Sequence, residues 1–131
     1  MTTNYYQAAT SKKKIDSLLI IEKDDLQRKG LTVALMDYFN EIRSTDNPVE
    51  ALHQSASKKF NIIISDYHFD IMTGKDLIRR LIKQSPESRF FIFTVNLNDQ
   101  CRNELEELGI ENVFEKPIDI KSLVNKIIQT T

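Results

Sequence analysis

The sequence predicts an α/β domain, a parallel sheet covered by helices on both faces, and three observations carry that prediction. Short apolar runs recur at Leu18-Leu19-Ile20-Ile21, Ile62-Ile63-Ile64 and Phe90-Phe91-Ile92-Phe93, the pattern of strands covered on both sides. Between them apolar residues fall at i, i+3, i+4 and i+7, the period of amphipathic helices. The 131 residues suit one domain, and no repeat, low-complexity block or Pro/Gly-rich linker divides them. Strict strand–helix alternation with right-handed crossovers then winds five strands into a doubly wound parallel sheet of order 2-1-3-4-5 with five helices, a flavodoxin-like fold.

Residues 1–14 are polar, end in the lysine run Lys12 to Lys14, and show no hydrophobic period. They read as a flexible, solvated tail, leaving 15–131 as the domain. Strand 1 is the run ending at Ile21, and helix 1 carries the stripe Leu31, Ala34, Leu35, Tyr38 and Phe39. Strand 2, Glu41 to Thr45, is polar enough for a sheet edge. Helix 2 begins at Pro48 behind a capping Asn47, and His53 shares a face with Val49, Leu52 and Ala56 that reads as packed. After strand 3, Gly74 satisfies a turn before helix 3, whose apolar face is Leu77, Ile78, Leu81 and Ile82. Helix 4 follows strand 4, with Cys101, Leu105 and Leu108 inside before Gly109, and Arg102, Glu104, Glu106 and Glu107 forming a charged solvent face. Strand 5, Glu111 to Glu115, is the other edge, and helix 5 packs through Ile120, Leu123, Val124, Ile127 and Ile128.

Composition narrows the function. Eighteen Lys+Arg against 19 Asp+Glu leave a net charge of −1, too even for direct binding of nucleic acid or an anionic membrane by bulk attraction. No apolar run spans a bilayer. A single cysteine makes no internal disulfide, and the polar start lacks a secretory pattern, so the cytoplasm is the expected compartment. Three glycines form neither a GxGxxG nor a Walker loop, which argues against a flavin carrier or nucleotide-dependent enzyme.

In open α/β sheets ligands bind beyond the carboxyl ends of the strands. There the sequence places Glu22-Lys23-Asp24-Asp25 after strand 1, Ser65-Asp66 at the end of strand 3, Thr94 after strand 4, and Lys116-Pro117 after strand 5. Were a phosphoryl group handled here, carboxylates would gather a hard divalent cation, the hydroxyl would donate to a phosphate oxygen and the ammonium would neutralise charge.

The acidic cluster, the segment Asp66-Tyr67-His68-Phe69-Asp70-Ile71-Met72-Thr73-Gly74, Thr94 and Lys116-Pro117 occur in one order over about residues 15–129. In that ensemble the chain resembles the receiver domain of bacterial two-component response regulators, whose fold is CheY-like. The resemblance implies that Asp66 is the phosphoacceptor, served by a sensor histidine kinase, a phosphotransfer protein or a small phosphodonor. It further implies that Thr94 and Lys116 bind the phosphoryl group and that Mg²⁺ is held by Glu22, Asp66 and the backbone carbonyl of His68, with Asp24 a further candidate. The His68 side chain would face outward. Phosphorylation would re-pose the helix 4, strand 5, helix 5 face toward an unknown downstream protein or a second copy in a homodimer. The expected chemistry is self-catalysed phosphoryl acceptance rather than that of a classical enzyme, and the output is expected to run through another protein rather than through an output domain within these 131 residues.

Three positions depart from the family pattern. The second acid after strand 1 is replaced by Lys23, whose ammonium either swings to solvent, leaving weakened Mg²⁺ binding, or pairs with Asp66 in the metal's place. Asp70 stands where proline is common, and Val113 stands where many members have a switch aromatic; Phe114, one residue on, should face the opposite side of the sheet. Asn96 occupies a position that varies among members. The rival reading is a pseudo-receiver that acts as a phosphorylation-independent interaction module.

Overall fold

The computed structural model describes residues 13–129. Five parallel strands lie in the order β2-β1-β3-β4-β5. They are β1 (Ile15–Ile21), β2 (Phe39–Thr45), β3 (Ile62–Asp66), β4 (Arg89–Thr94) and β5 (Asn112–Glu115), and they alternate with α1 (Asp25–Leu35), α2 (Pro48–Ser57), α3 (Gly74–Gln84), α4 (Asp99–Glu107) and α5 (Ile120–Gln129). Residues 1–12, which carry most of the anticipated tail, lie outside the described residues; Lys13 and Lys14 are exposed and without regular structure.

Strand parity divides the core into two layers, since successive side chains point to opposite faces. Leu19, Ile21, Ile63 and Ile92 pack with Ala51, Leu77, Ile78, Leu81, Cys101 and Leu105 of α2, α3 and α4. Leu18, Ile20, Ile62, Ile64, Phe91 and Phe93 pack on the other face with Leu31, Leu35, Leu123 and Ile127 of α1 and α5. Each fully buried Leu or Ile contributes about 1.5–3 kcal/mol, so both layers are needed to hold the sheet between its helices. Val113 joins the first layer and Phe114 the second, where Phe114 packs on the rings of Phe91 and Phe93.

The helix starts follow their caps. Side-chain oxygens of Asp24, Asn47, Thr73 and Asn98 each accept a backbone N–H in the first turn of α1, α2, α3 and α4. Several expectations need correction. The α1 stripe was extended too far: α1 ends at Leu35, Met36–Tyr38 form a 3-10 turn and Phe39 opens β2 opposite Ile15. Phe39 is buried through the strand, not the helix, because its backbone is extended (φ −129°, ψ 145°). His53 is exposed along with Val49 and Ala56, and α2 packs through Pro48, Ala51 and Ser55 instead. On α5, Leu123 and Ile127 are buried while Ile120 and Ile128 are exposed. Gly74 has no positive φ; a Cβ there would stand 1.9 Å from the Tyr67 carbonyl oxygen, so close approach of backbones, not turn conformation, requires glycine.

No helix among the described residues is long and apolar enough to cross a membrane.

Candidate functional site

Because the strands are parallel and in register, their carboxyl ends deliver side chains to one place. Glu22 follows β1, Asp66 ends β3, Thr94 ends β4 and Lys116 follows β5. Glu22, Asp66 and Thr94 are 1 %, 4 % and 1 % exposed, so two carboxylates and a hydroxyl sit in the interior, where charge must be paired. Lys116 supplies the pairing: its Nζ lies 2.6 Å from Asp66 Oδ1 and 2.9 Å from Glu22 Oε1. The remaining carboxylate oxygens take backbone donors, Asp66 Oδ2 from Lys23 N at 3.3 Å and Glu22 Oε2 from Asp24 N at 3.1 Å. Arg28 of α1 fixes the segment by donating to the Glu22 carbonyl at 2.9 Å. The Lys116–Pro117 peptide is cis.

The electrostatics follow from this packing. Burial pushes the Glu22 carboxyl up, and the neighbouring Asp66 carboxyl adds to that, against the pull of Lys116 and the Asp24 N–H. For Lys116, burial works to lower the ammonium, but its bonds to Asp66 and Glu22 win and hold it above the ordinary lysine range. Lys23 is exposed; its backbone N–H faces Asp66, and the ammonium beside Asp66 belongs to Lys116.

Thr94 does not address Asp66. Its Oγ1 shares a hydrogen bond of 3.0 Å with His68 Nε2 and lies 3.3 Å from both the N and the O of Asn96, with the Cys101 thiol at 4.0 Å. Burial pushes that thiol up. The outward orientation anticipated for His68 is therefore corrected: the residue is exposed, yet its ring reaches back to Thr94. Glu104 was likewise misplaced on the solvent face. It is half-buried and accepts the Tyr67 hydroxyl at 2.5 Å, and burial with this partner raises the Tyr67 phenol above its ordinary range. The signal was available, since Cys101, Glu104, Leu105 and Leu108 fall at i, i+3, i+4 and i+7 on the inner face of α4.

Among the described residues no group of three His, Cys, Asp or Glu side chains forms a metal cage. Asp24 spends Oδ2 on the α1 cap, accepting from Gln27 N at 2.8 Å. The convergent donors are thus the two buried carboxylates of Glu22 and Asp66, which fits a cation such as Mg²⁺ that takes one or two carboxylates and completes its shell with water and phosphate oxygens.

A doubly wound parallel sheet with buried acids, a lysine and a hydroxyl at neighbouring strand ends is the arrangement of an α/β domain that binds its ligand beyond the carboxyl ends of its strands. Residues 18–128 match the response regulator receiver domain, and the chain belongs to that family. It is 28% identical over 111 residues to the DNA-binding transcriptional regulator NtrC of Azospirillum brasilense, covering 85% of this chain and 23% of that protein. The chain spans about half the length, or less, of the curated relatives it matches. The receiver domain protein of Methanospirillum hungatei superposes with a TM-score of 0.83 at 19% identity, over 89% of this chain and 94% of that one. A Burkholderia pseudomallei response regulator, solved with a phosphorylated aspartic acid, a calcium ion and citrate, superposes at 0.77 with 22% identity, over 88% and 71%.

Proposed function

We propose that this receiver domain accepts a phosphoryl group on Asp66 and signals through the surface around α4, β5 and α5. The observation that carries the reading is the half-buried Lys116 ammonium held between the buried carboxylates of Asp66 and Glu22. Asp66 Oδ attacks phosphorus; the new P–O bond forms as the bond to a phosphohistidine nitrogen or an acyl-phosphate oxygen breaks, and the leaving group takes the electron pair. Lys116, already bonded to Asp66, neutralises charge on the phosphoryl oxygens. Thr94, once released from His68, donates its hydroxyl to one of them. Mg²⁺ would be held by Glu22, Asp66 and the His68 carbonyl, and when bound supplies charge neutralisation for the transferred group. Lys23 weakens that binding by removing a carboxylate, its exposed side chain leaving the pocket to the other donors. The proposed donor is a sensor histidine kinase or phosphotransfer protein, and the proposed output is a change of affinity for a downstream protein or a second copy.

The test is intact mass after incubation with a small acyl phosphate, with and without Mg²⁺. Wild-type protein is expected to gain one phosphoryl group in a Mg²⁺-dependent manner, and Asp66→Ala none. An adduct that persists in Asp66→Ala, or no adduct in wild type, overturns the reading.

A further inference from the structure

We propose that Tyr67 and His68, the two residues after the phosphoacceptor, form a relay that carries the state of Asp66 to α4 in place of a switch aromatic on β5; this rests on the proposed phosphorylation of Asp66. The β5 route is closed in this chain, because Val113 lies in the core layer beneath α4 and Phe114 on the opposite face.

The alternative route is a continuous set of contacts. His68 Nε2 holds Thr94 Oγ1 at 3.0 Å. The His68 ring stands edge-on to the Tyr67 ring, centroids 5.6 Å apart and planes at 83°. Tyr67 OH donates to Glu104 Oε1 at 2.5 Å, which ties the second turn of α4 to the segment that follows Asp66. Tyr67 is braced at its backbone, its N–H on the Phe93 carbonyl at 2.9 Å and its own carbonyl against Gly74, so a displaced ring must break its outer bond rather than carry the main chain along. A cavity of about 520 Å³ bordered by Tyr67, His68, Asn96, Cys101 and Glu104 gives these side chains and α4 somewhere to go.

The two states are defined by one competition. Without phosphate, Thr94 bonds to His68 and Asn96, and Tyr67 bonds to Glu104. A phosphoryl group on Asp66 offers Thr94 a charged acceptor, which makes a stronger bond than a neutral one. Thr94 leaves His68, the imidazole loses its anchor against Tyr67, and the Tyr67–Glu104 bond opens, freeing α4. Coupling of this kind needs a discrete element with two arrangements, and the Tyr67–Glu104 bond is that element.

The experiment follows backbone amide chemical shifts of Glu104 to Glu107 in the full chain, with and without acetyl phosphate and Mg²⁺, with intact mass recorded on the same samples. In wild type these amides are expected to move as the adduct forms. Tyr67→Phe is expected to gain the same adduct, to show the displaced shifts already without donor, and to move little further. Equal donor-induced movement in wild type and Tyr67→Phe overturns the relay. Glu104→Ala breaks the same bond from the helix side and must reproduce Tyr67→Phe; if it instead responds like wild type, the relay is wrong. Absence of an adduct in wild type overturns the phosphoacceptor reading, and the relay is then decided without donor by His68→Ala. Movement of Glu104 to Glu107 in the wild-type background that disappears in Tyr67→Phe supports it; no movement, or the same movement in both, overturns it.

Discussion

Gly30 and Gly74 both lie in helices, and a methyl group added to each would meet different surroundings. At Gly30 a Cβ has nothing within 4 Å, whereas at Gly74 it meets backbone at 1.9 Å. Gly30→Ala is expected to stabilise the fold by about 0.5–1 kcal/mol through helix propensity, and Gly74→Ala to destabilise it by about 1–3 kcal/mol through overpacking; urea unfolding midpoints check both. Tyr67 gives a spectroscopic prediction. Its neutral phenol is favoured in the fold by burial and by the bond to Glu104. The unfolded chain therefore loses this proton at lower pH than the folded chain, and stability contributed by Tyr67 is full below pH 10 and falls as pH rises beyond it. Alkaline titration of tyrosine absorbance is expected to contain a late component that Tyr67→Phe removes. At this scale the placement of Asp66, Thr94 and Lys116 at neighbouring strand ends was legible, because parallel strands deliver their carboxyl ends to one edge of the sheet. The bonds made by His68 and Glu104 were not, because each depends on which rotamer an exposed or half-exposed side chain adopts across 26 and 37 residues of separation.

Elements were legible where local chemistry and packing agree. Asn47 is an example: its Oδ1 accepts from Val49 N at 2.8 Å and Glu50 N at 3.3 Å, as Asn-Pro before an apolar run announces. Asn47→Ala is expected to cost about 1 kcal/mol, read as a lower urea midpoint with unchanged denaturant slope. Where packing is shared between elements the pattern misleads. Leu35 and Phe39 are four apart and both buried in the same layer, yet one belongs to α1 and the other to β2. A helical period and a helix followed by a buried strand start look alike over that distance. Edge strands were harder still: β2 begins two residues before the expected Glu41, at Phe39, since its ladder to β1 includes Ile15↔Phe39 and pairing, not composition, sets its length.

At the scale of the whole molecule, chemistry gathers at one end of the sheet, and binding there is coupled to global stability. A cation that binds only the folded state stabilises it by RT ln(1 + [L]/Kd), about 2.7 kcal/mol at 100 times Kd. Lys23→Asp adds a carboxylate beside Glu22, so the rise in melting temperature with Mg²⁺ is expected to be larger in that variant than in wild type; equal rises would show that Lys23 does not limit the metal. The overall architecture was legible because alternation and handedness leave few topologies. The division of the sheet into two faces has one more consequence. Ile92 is paired with Val113 and Phe93 with Phe114, so the ring of Phe114 and the side chain of Val113 are separated by the sheet itself. For an evolving lineage a one-residue step along β5 is therefore an inversion, not an adjustment. An aromatic cannot migrate from 114 to 113 by intermediates; it must be lost from one core layer and gained in the other, leaving a void behind and crowding ahead.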